Sequence, residues 1–387
     1  MLQKFIRKIG YIISKFLIFL FPINKNKITI IEETPFSGSN SYALYIHLKN
    51  INKNINKNNK LNIIYLEGKI KSFKEYFNWL KNISSSKIVV VSHGLPFKKK
   101  KNQIFIQLWH GIPLKAMGLL DKSANLKEKK LVIKSINQYD YIISSSDTYS
   151  TLLNSTVGSY KSKYLNLGFP RIDFLFKKGR LNEIVDFDGK KVVFYIPTYR
   201  KGYLDKIEGI ERYNNIFGFE DFSLEIFDNF LKDNNILFIA KLHPFEEAYY
   251  KKIYKDFKSK NFIFLNQDIL KEKKIDLYEI LPDSDLLITD YSSIYFDYLI
   301  LNKPVIFINN DIKTYYEKRG FLLYPYDFWT PGLKVSNFNS MLDSIHKILS
   351  GNDDYSTNRK MIRDIFFYYQ DPNSSERISN FIIDLLK

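Results

Sequence analysis

From residue 27 onward the chain alternates short, predominantly apolar runs with stretches of helical spacing. The runs fall at 28–31, 63–66, 88–91, 104–108, 141–143 and 164–167, and the intervals between them, such as 72–80 and 147–153, carry the helical pattern. An acid-rich stretch at 183–188 reads as a linker, after which the alternation restarts with runs at 192–196, 236–239, 262–265, 286–288 and 305–308. Strands that are apolar at every position are buried on both faces, and strand–helix alternation predicts parallel sheets covered by helices. The pattern therefore predicts an α/β protein of two such units, at 24–182 and 190–387, the second ending in a helical tail from Met341 onward. Within that tail Pro372-Asn373-Ser374-Ser375-Glu376 reads as a stop, an N-cap and a new helix.

Residues 1–23 follow a different pattern. At 100° per residue, Lys4, Arg7, Lys8, Tyr11, Ser14 and Lys15 share one narrow arc, while Leu2, Phe5, Ile6, Ile9, Ile12, Ile13, Phe16 and Leu17 cover the opposite face. A basic amphipathic helix of this kind lies in a membrane interface with its cations toward anionic head groups. The alternative is an ordinary helix packed on the first unit; the wholly basic polar arc favours the membrane surface. A transmembrane span needs about 20 mostly uncharged residues, and Lys15 interrupts this one. Pro22 ends the helix, and Phe21-Pro22-Ile23 offers no small-residue cleavage site for a signal peptide.

Composition sharpens this picture in three ways. The 387 residues are 45% hydrophobic and 16% aromatic, enough for two sizeable cores and against disorder. There is no cysteine, which removes disulfides, thiolate metal sites and cysteine nucleophiles. The net charge of +17 is unevenly placed: residues 1–190 hold 32 Lys and Arg against 12 Asp and Glu, and residues 191–387 hold 26 against 29. One half therefore faces something anionic, and lipid or a polyphosphate acceptor fits better than nucleic acid, because no nucleic-acid-binding signature accompanies the charge.

The candidate chemistry sits where strand-like runs end. His110 follows the run 104–108 in Trp109-His110-Gly111-Ile112-Pro113-Leu114-Lys115; Lys241 and His243 follow the run 236–239; Asp290, Ser292 and Ser293 follow the run 286–288. Ligands bind beyond the carboxyl ends of strands in open α/β sheets, so these residues point to a phosphorylated ligand between two sheets. Near its unperturbed pKa of about 6.5, an imidazole accepts the proton of an attacking hydroxyl and contributes roughly 10²–10⁴ in rate. His110 is a candidate for that role; the bland reading is a histidine satisfied by backbone in a strand-end turn. His243, locked by Pro244, is placed to donate to a phosphorylated ligand. Lys241 projects to the same face two residues earlier, with a solvated charge as its rival reading. Ser292 and Ser293 open a helix at Ile294, where hydroxyls and N–H groups favour an anion. Asp290 and Asp297 either orient those serines or touch a ribose, and Asp290 has a turn cap as its alternative. Asp283-Ser284-Asp285 resembles a metal-binding pair but precedes a strand, so no metal or cofactor is expected. His47 and His346 lie in helical patterns, His93-Gly94 ends a strand-like run with only a weak signal for the acceptor side, and Lys98 to Lys101 reads as a solvated turn.

These segments occur together in one order. Trp109-His110-Gly111-x-Pro113-x-Lys115 with Gly118, Gly168-Phe169-Pro170-Arg171-x-Asp173, Pro197-Thr198-Tyr199-Arg200, Lys241-x-His243-Pro244, Thr289-Asp290-Tyr291-Ser292-Ser293-x-x-x-Asp297, Lys303-Pro304 and Arg319-Gly320-Phe321 follow one another. The ordered set, spanning about 96–332, resembles the CDP-glycerol glycerophosphotransferase family of teichoic acid primases and polymerases. The resemblance implies two Rossmann-like domains facing each other, the GT-B arrangement, and transfer of glycerol phosphate from CDP-glycerol to an acceptor hydroxyl with release of CMP. It assigns His110 the role of base. It raises Arg200, Arg171 and Arg319 as phosphate clamps, with Arg200 and Arg319 toward the donor beside Lys241, Asp290, Ser292, Ser293 and Asp297, and Lys115 and Arg171 toward the acceptor. Partners implied are CDP-glycerol or a related CDP-polyol such as CDP-ribitol, a lipid-linked or surface glycan acceptor, and an anionic membrane at the cytoplasmic face. Only a short helix precedes the first unit, an expectation that favours a primase or a capsule transferase over a processive polymerase. Two rivals stand beside this reading: a GT-B glycosyltransferase using a nucleotide sugar, and a non-catalytic basic membrane-binding scaffold, which has no use for the histidines and serines.

Overall fold

The computed structural model describes residues 18–54, 60–67, 70, 72–95, 97–187, 189–200, 212 and 215–387. The first sheet contains β1 (Asn24–Glu32), β2 (Asn62–Glu67), β3 (Ser86–Val91), β4 (Ile104–Gln107), β5 (Tyr141–Ser144) and β6 (Lys163–Asn166), in the order β2-β1-β3-β4-β5-β6. The second contains β7 (Lys191–Tyr195), β8 (Ile236–Ala240), β9 (Phe262–Phe264), β10 (Leu286–Thr289), β11 (Val305–Ile308) and β12 (Leu333–Val335), in the order β12-β11-β10-β7-β8-β9. Every pairing is parallel. Eleven of these strands coincide with apolar runs; β12 has only Leu-Lys-Val and leaves no readable pattern.

Local signals set the helix ends. The expected helix at 147–153 runs from Asp147 to Val157 because Ser146 accepts the Tyr149 amide at one end and Gly158, at φ +65°, closes the other. Likewise Ser72 caps the helix Phe73–Ser85. The expected amphipathic helix lies outside the described residues up to residue 17. Its continuation Ile18–Leu20 is a short 3-10 turn that leaves Phe19 76% and Leu20 69% exposed. Phe21 then packs edge-on against Phe77, 5.8 Å between ring centres, and Lys100 Nζ donates to the Phe21 carbonyl at 2.6 Å. The boundary expected at residue 23 therefore falls a few residues late, since Phe21 already belongs to the first lobe.

The tail departs from the expected division. Its last helix, Ser374–Asp384, crosses back to the first sheet, where Ile378 and Ile382 join Ile28, Ile30, Val90, Ile106 and Ile143 in one buried cluster. Its amino end is held from the first lobe: Asp173 accepts the amides of Ser374 and Ser375 at 2.9 and 2.8 Å. The sequence signal at Asn373-Ser374-Ser375 locates the helix start, but the capping carboxylate comes from 200 residues away. The second unit thus does not contain all of 190–387. A further apolar cluster runs continuously through both lobes, from Val89, Tyr149 and Phe169 to Tyr278, Tyr291 and Tyr298. The lobes share a core instead of meeting only at a linker.

Candidate active site

The carboxyl end of β4 delivers the turn that carries His110. Trp109 adopts a left-handed backbone conformation (φ +59°), rare for a bulky residue, and three hydrogen bonds hold it or its neighbour there. Gln107 Oε1 accepts the Trp109 amide at 2.9 Å, Asn40 Nδ2 donates to the Trp109 carbonyl at 2.9 Å, and Arg171 Nη1 donates to the His110 carbonyl at 2.8 Å. The His110 ring stacks against the rings of Trp109 and His93. Its Nδ1 lies 3.1 Å from the Ser92 carbonyl. A carbonyl only accepts, so Nδ1 carries the proton and Nε2 keeps its lone pair. Desolvation by the surrounding protein, together with the nearby Arg171 and Lys115 cations, pushes this imidazole down to about 4, against a smaller opposing pull from Ser92. It is therefore neutral at pH 7.

Gly111 follows at φ +149°, and a Cβ there would lie 2.8 Å from Ser293 Oγ. Only glycine lets the base-bearing turn of the first lobe come this close to the serine turn of the second. Ser292 and Ser293 are both half-buried at that junction. Close by, Lys115 Nζ sits 4.9 Å over the Tyr199 ring, and the His243 ring lies against the same tyrosine, 4.5 Å between centres. Burial pushes His243 down to about 4, helped by the Lys241 and Lys115 charges. One lysine of the first lobe thus acts electrostatically on both histidines. His110, Lys115, His243 and Ser293, all expected from sequence, converge on the cleft. Tyr199 belongs to the Pro197-Thr198-Tyr199-Arg200 motif but has no role readable from it, and His93 carries only a weak signal.

The other expected site residues are turned inward. Asp290 is fully buried and pairs with Arg200 at 2.9 Å and with Arg212 at 2.6 Å, while also accepting the Thr198 amide at 2.7 Å. Arg200 is equally buried, reaches Asp311 at 3.1 Å and stacks on Tyr291 and Tyr315. These charges neutralise one another beneath the strand ends of β7 and β10, where the order of the second sheet reverses. Arg171 is a buried strut between lobes: besides His110 it donates to the Gly38 carbonyl at 3.1 Å and to Asp297 at 2.5 Å, and Tyr278 donates its hydroxyl to the same carboxylate. Lys241 is buried and paired with Glu247 at 2.5 Å. Arg319 reaches across to Asp121 at 2.6 Å. Arg171, Arg200, Lys241, Asp290 and Asp297 are thus buried and paired with protein partners, and Arg319 is half-buried beside Asp121. Arg212 and Asp311, which complete the buried cluster, stand in no motif read above.

The lobes are joined by further cross-links. Lys115 bridges Phe321 in antiparallel fashion, with the Ala116 amide on the Gly320 carbonyl at 2.8 Å and the Leu322 amide on the Leu114 carbonyl at 2.9 Å. Asp276 accepts the amides of Gly38 and Ser39, each at 3.2 Å. The acids of Asp283-Ser284-Asp285 hold backbone, accepting the amides of Leu181 and Val192 at 2.8 Å each. Among the described residues no group of three or more His, Asp or Glu is placed to hold a metal ion.

Two doubly wound parallel sheets, with His110, Lys115, His243 and the serine turn brought together where the lobes meet, define a GT-B-type α/β protein. Residues 13–384 match the profile of the CDP-Glycerol:Poly(glycerophosphate) glycerophosphotransferase family, and the chain belongs to that family. It is 30% identical over 296 residues to the teichoic acid glycerol-phosphate primase of Bacillus subtilis, a match covering 74% of this chain and 70% of the relative. It is 29% identical over 316 residues to the teichoic acid poly(glycerol phosphate) polymerase of Bacillus spizizenii, covering 78% and 75%. Since the match takes in three quarters of a polymerase, chain length does not separate the two activities. In three dimensions the chain is similar to a variant of the wall teichoic acid polymerase TagF, with a TM-score of 0.77 at 21% identity over 100% of this chain and 98% of the other.

Proposed function

We propose that this protein transfers glycerol phosphate from CDP-glycerol to a hydroxyl of a lipid-linked or surface glycan acceptor, releasing CMP, at the cytoplasmic face of the membrane. The acceptor oxygen attacks the β-phosphorus, a new P–O bond forms, and the bond to the bridging oxygen breaks so that CMP leaves with the electron pair. The acceptor proton passes to His110 Nε2 and then to solvent. His243, Lys115 and the serine turn hold the charge of the pyrophosphate, the term that dominates phosphoryl transfer. The observation that carries this reading is the His110 imidazole, neutral and with its proton committed to the Ser92 carbonyl, at the junction of the two lobes.

The membrane component rests on the basic amphipathic pattern of residues 1–17 and on the positive charge of the first half. Among the described residues no helix is long and apolar enough to cross a membrane. The direct test is incubation with a panel of CDP-glycerol, CDP-ribitol and CDP- and UDP-sugars, following nucleotide release with and without acceptor. Acceptor-dependent CMP release from CDP-glycerol supports the reading, release from CDP-ribitol alone changes the polyol, and turnover only of a nucleotide sugar replaces the proposal with a glycosyltransferase.

A further inference from the structure

His93 stands at the carboxyl end of β3, and the strand order of the first sheet reverses between β1 and β3, the place where such sheets open a crevice. Its ring lies flat on that of His110, with centres 4.4 Å apart and planes 7° apart. The turn that carries it is fastened to the turn that carries the base. Gln107 Nε2 donates to the His93 carbonyl at 3.0 Å while Gln107 Oε1 accepts the Trp109 amide at 2.9 Å. Ser92, one residue before, supplies the carbonyl for His110 Nδ1 at 3.1 Å and places its hydroxyl 3.4 Å from His93 Nδ1.

We propose that His93 is a positioning residue for the base: its ring, lying flat on His110, holds that imidazole in the plane where Nδ1–H meets the Ser92 carbonyl and Nε2 is left to the acceptor. This rests on the transfer reading given above. The torsion that turns an imidazole about its Cβ–Cγ bond is broad and soft, so a single hydrogen bond at 3.1 Å does not fix the ring without a surface to lie against. Aromatic faces in offset contact supply such a surface. The groups that face His110 are the His93 and Trp109 rings, the Ser92 carbonyl, and the Arg171 and Lys115 cations. His93 itself is kept neutral, first by burial and then by the neighbouring His110 and Arg171. It therefore supplies a flat surface and no charge, and a flat apolar ring can take its place.

The test measures CMP release from CDP-glycerol by the full chain with a soluble acceptor analogue. His93→Phe is expected within about fivefold of the parent kcat, with the acid limb of kcat/KM unmoved. His93→Ala and His93→Leu are expected to lose tenfold or more in kcat at a donor KM within twofold of the parent. A merely structural role moves kcat and KM together, and Leu then rescues as well as Phe. Parent kcat in His93→Ala, or His93→Phe as slow as His93→Ala, overturns the proposal. A measurement on the parent protein does not depend on how the variants fold: ¹⁵N spectra of its five histidines, assigned with His110→Ala, should show the Nδ1–H tautomer at His110. The Nε2–H tautomer overturns the assignment. An inactive His110→Ala beside a fully active His93→Ala sinks only the role of His93, whereas a fully active His110→Ala sinks the transfer mechanism itself.

Discussion

The two walls of the cleft treat charge in opposite ways. The second lobe packs Arg200, Arg212, Asp290 and Asp311 beneath its strand ends as a buried, mutually neutralised cluster. The first lobe offers the cleft a neutral imidazole on a backbone turn, held by hydrogen bonds to Ser92, Gln107, Asn40 and Arg171. Buried ion pairs are poor at gaining free energy and good at fixing a geometry, since their desolvation consumes much of their attraction. A neutral base needs the reverse: desolvation enough to stay unprotonated and a lone pair open to substrate. The difference is one of pairing: burial divides the motif residues into charges matched inside the protein and groups left at the junction of the lobes.

The sharpest way to break that division is to remove one member of each kind. His110→Ala should lower kcat by about 10²–10⁴, the range for a general base, while leaving CDP-glycerol binding intact by calorimetry. A rate within tenfold of the parent removes His110 as base. Asp297→Asn should act on stability instead, costing about 3–5 kcal/mol in urea unfolding because it leaves the Arg171 guanidinium buried without its counter-ion. Adding Arg171→Met should restore part of that stability, since it removes the cation left without its counter-ion while leaving the Gly38 and His110 carbonyls without their donor. The rate should fall with this second change, because only then does the His110 carbonyl lose its donor. Recovery of stability without a fall in rate would show that the pair has no hold on the base.

Much of this was legible in the sequence, for physical reasons that also mark where legibility ends. Parallel strands buried on both faces must be apolar at every position, so β7, β8 and β10 declare themselves, whereas β12 is three residues around a lysine and does not. The residues at strand ends were readable because turns there are short and motif-bound. What one dimension hides is direction and distance. Nothing local says that Arg200 points under the sheet and not over it, that Asp173 caps a helix 200 residues away, or that His93 and His110 share one stack. Arg212 has no motif around it and joins Asp290 only in three dimensions.

The second lobe's exposed contribution is smaller and testable separately. His243→Ala should lower kcat roughly 10²-fold and raise the donor KM, the scale for losing one donor to a developing charge. Unchanged values of both would leave Lys115 and the serine turn as the holders of the pyrophosphate. Acid sharpens the first wall further. The His110 base must be unprotonated, and its pKa is pushed from 6.5 down to about 4. The kcat/KM profile, which reports the free enzyme, should therefore stay level from pH 7 to about 5.5 and fall only toward 4. A limb centred near 6.5 would mean that the cleft is wetter, and the imidazole less desolvated, than its packing implies.

A separate effect, on membrane binding and not on the chemical step, concerns the chain's approach to its acceptor. Replacing Lys4, Arg7, Lys8 and Lys15 by Gln should weaken binding to anionic vesicles by about 1 kcal/mol per residue at low salt, and by less as salt screens the charges. Thermal stability should not change, because the spacing expected of this segment sets these four residues opposite its apolar positions. A truncation meant to remove the expected amphipathic segment should stop at residue 17, since Phe21 packs on Phe77 and its carbonyl is held by Lys100. That truncated chain should keep turnover on a soluble acceptor analogue and lose it on a lipid-linked one. If it instead unfolds without lipid, residues 1–17 belong to the core of the first lobe. Its excess charge would then need another anionic partner, with the acceptor's own phosphates as the remaining candidate.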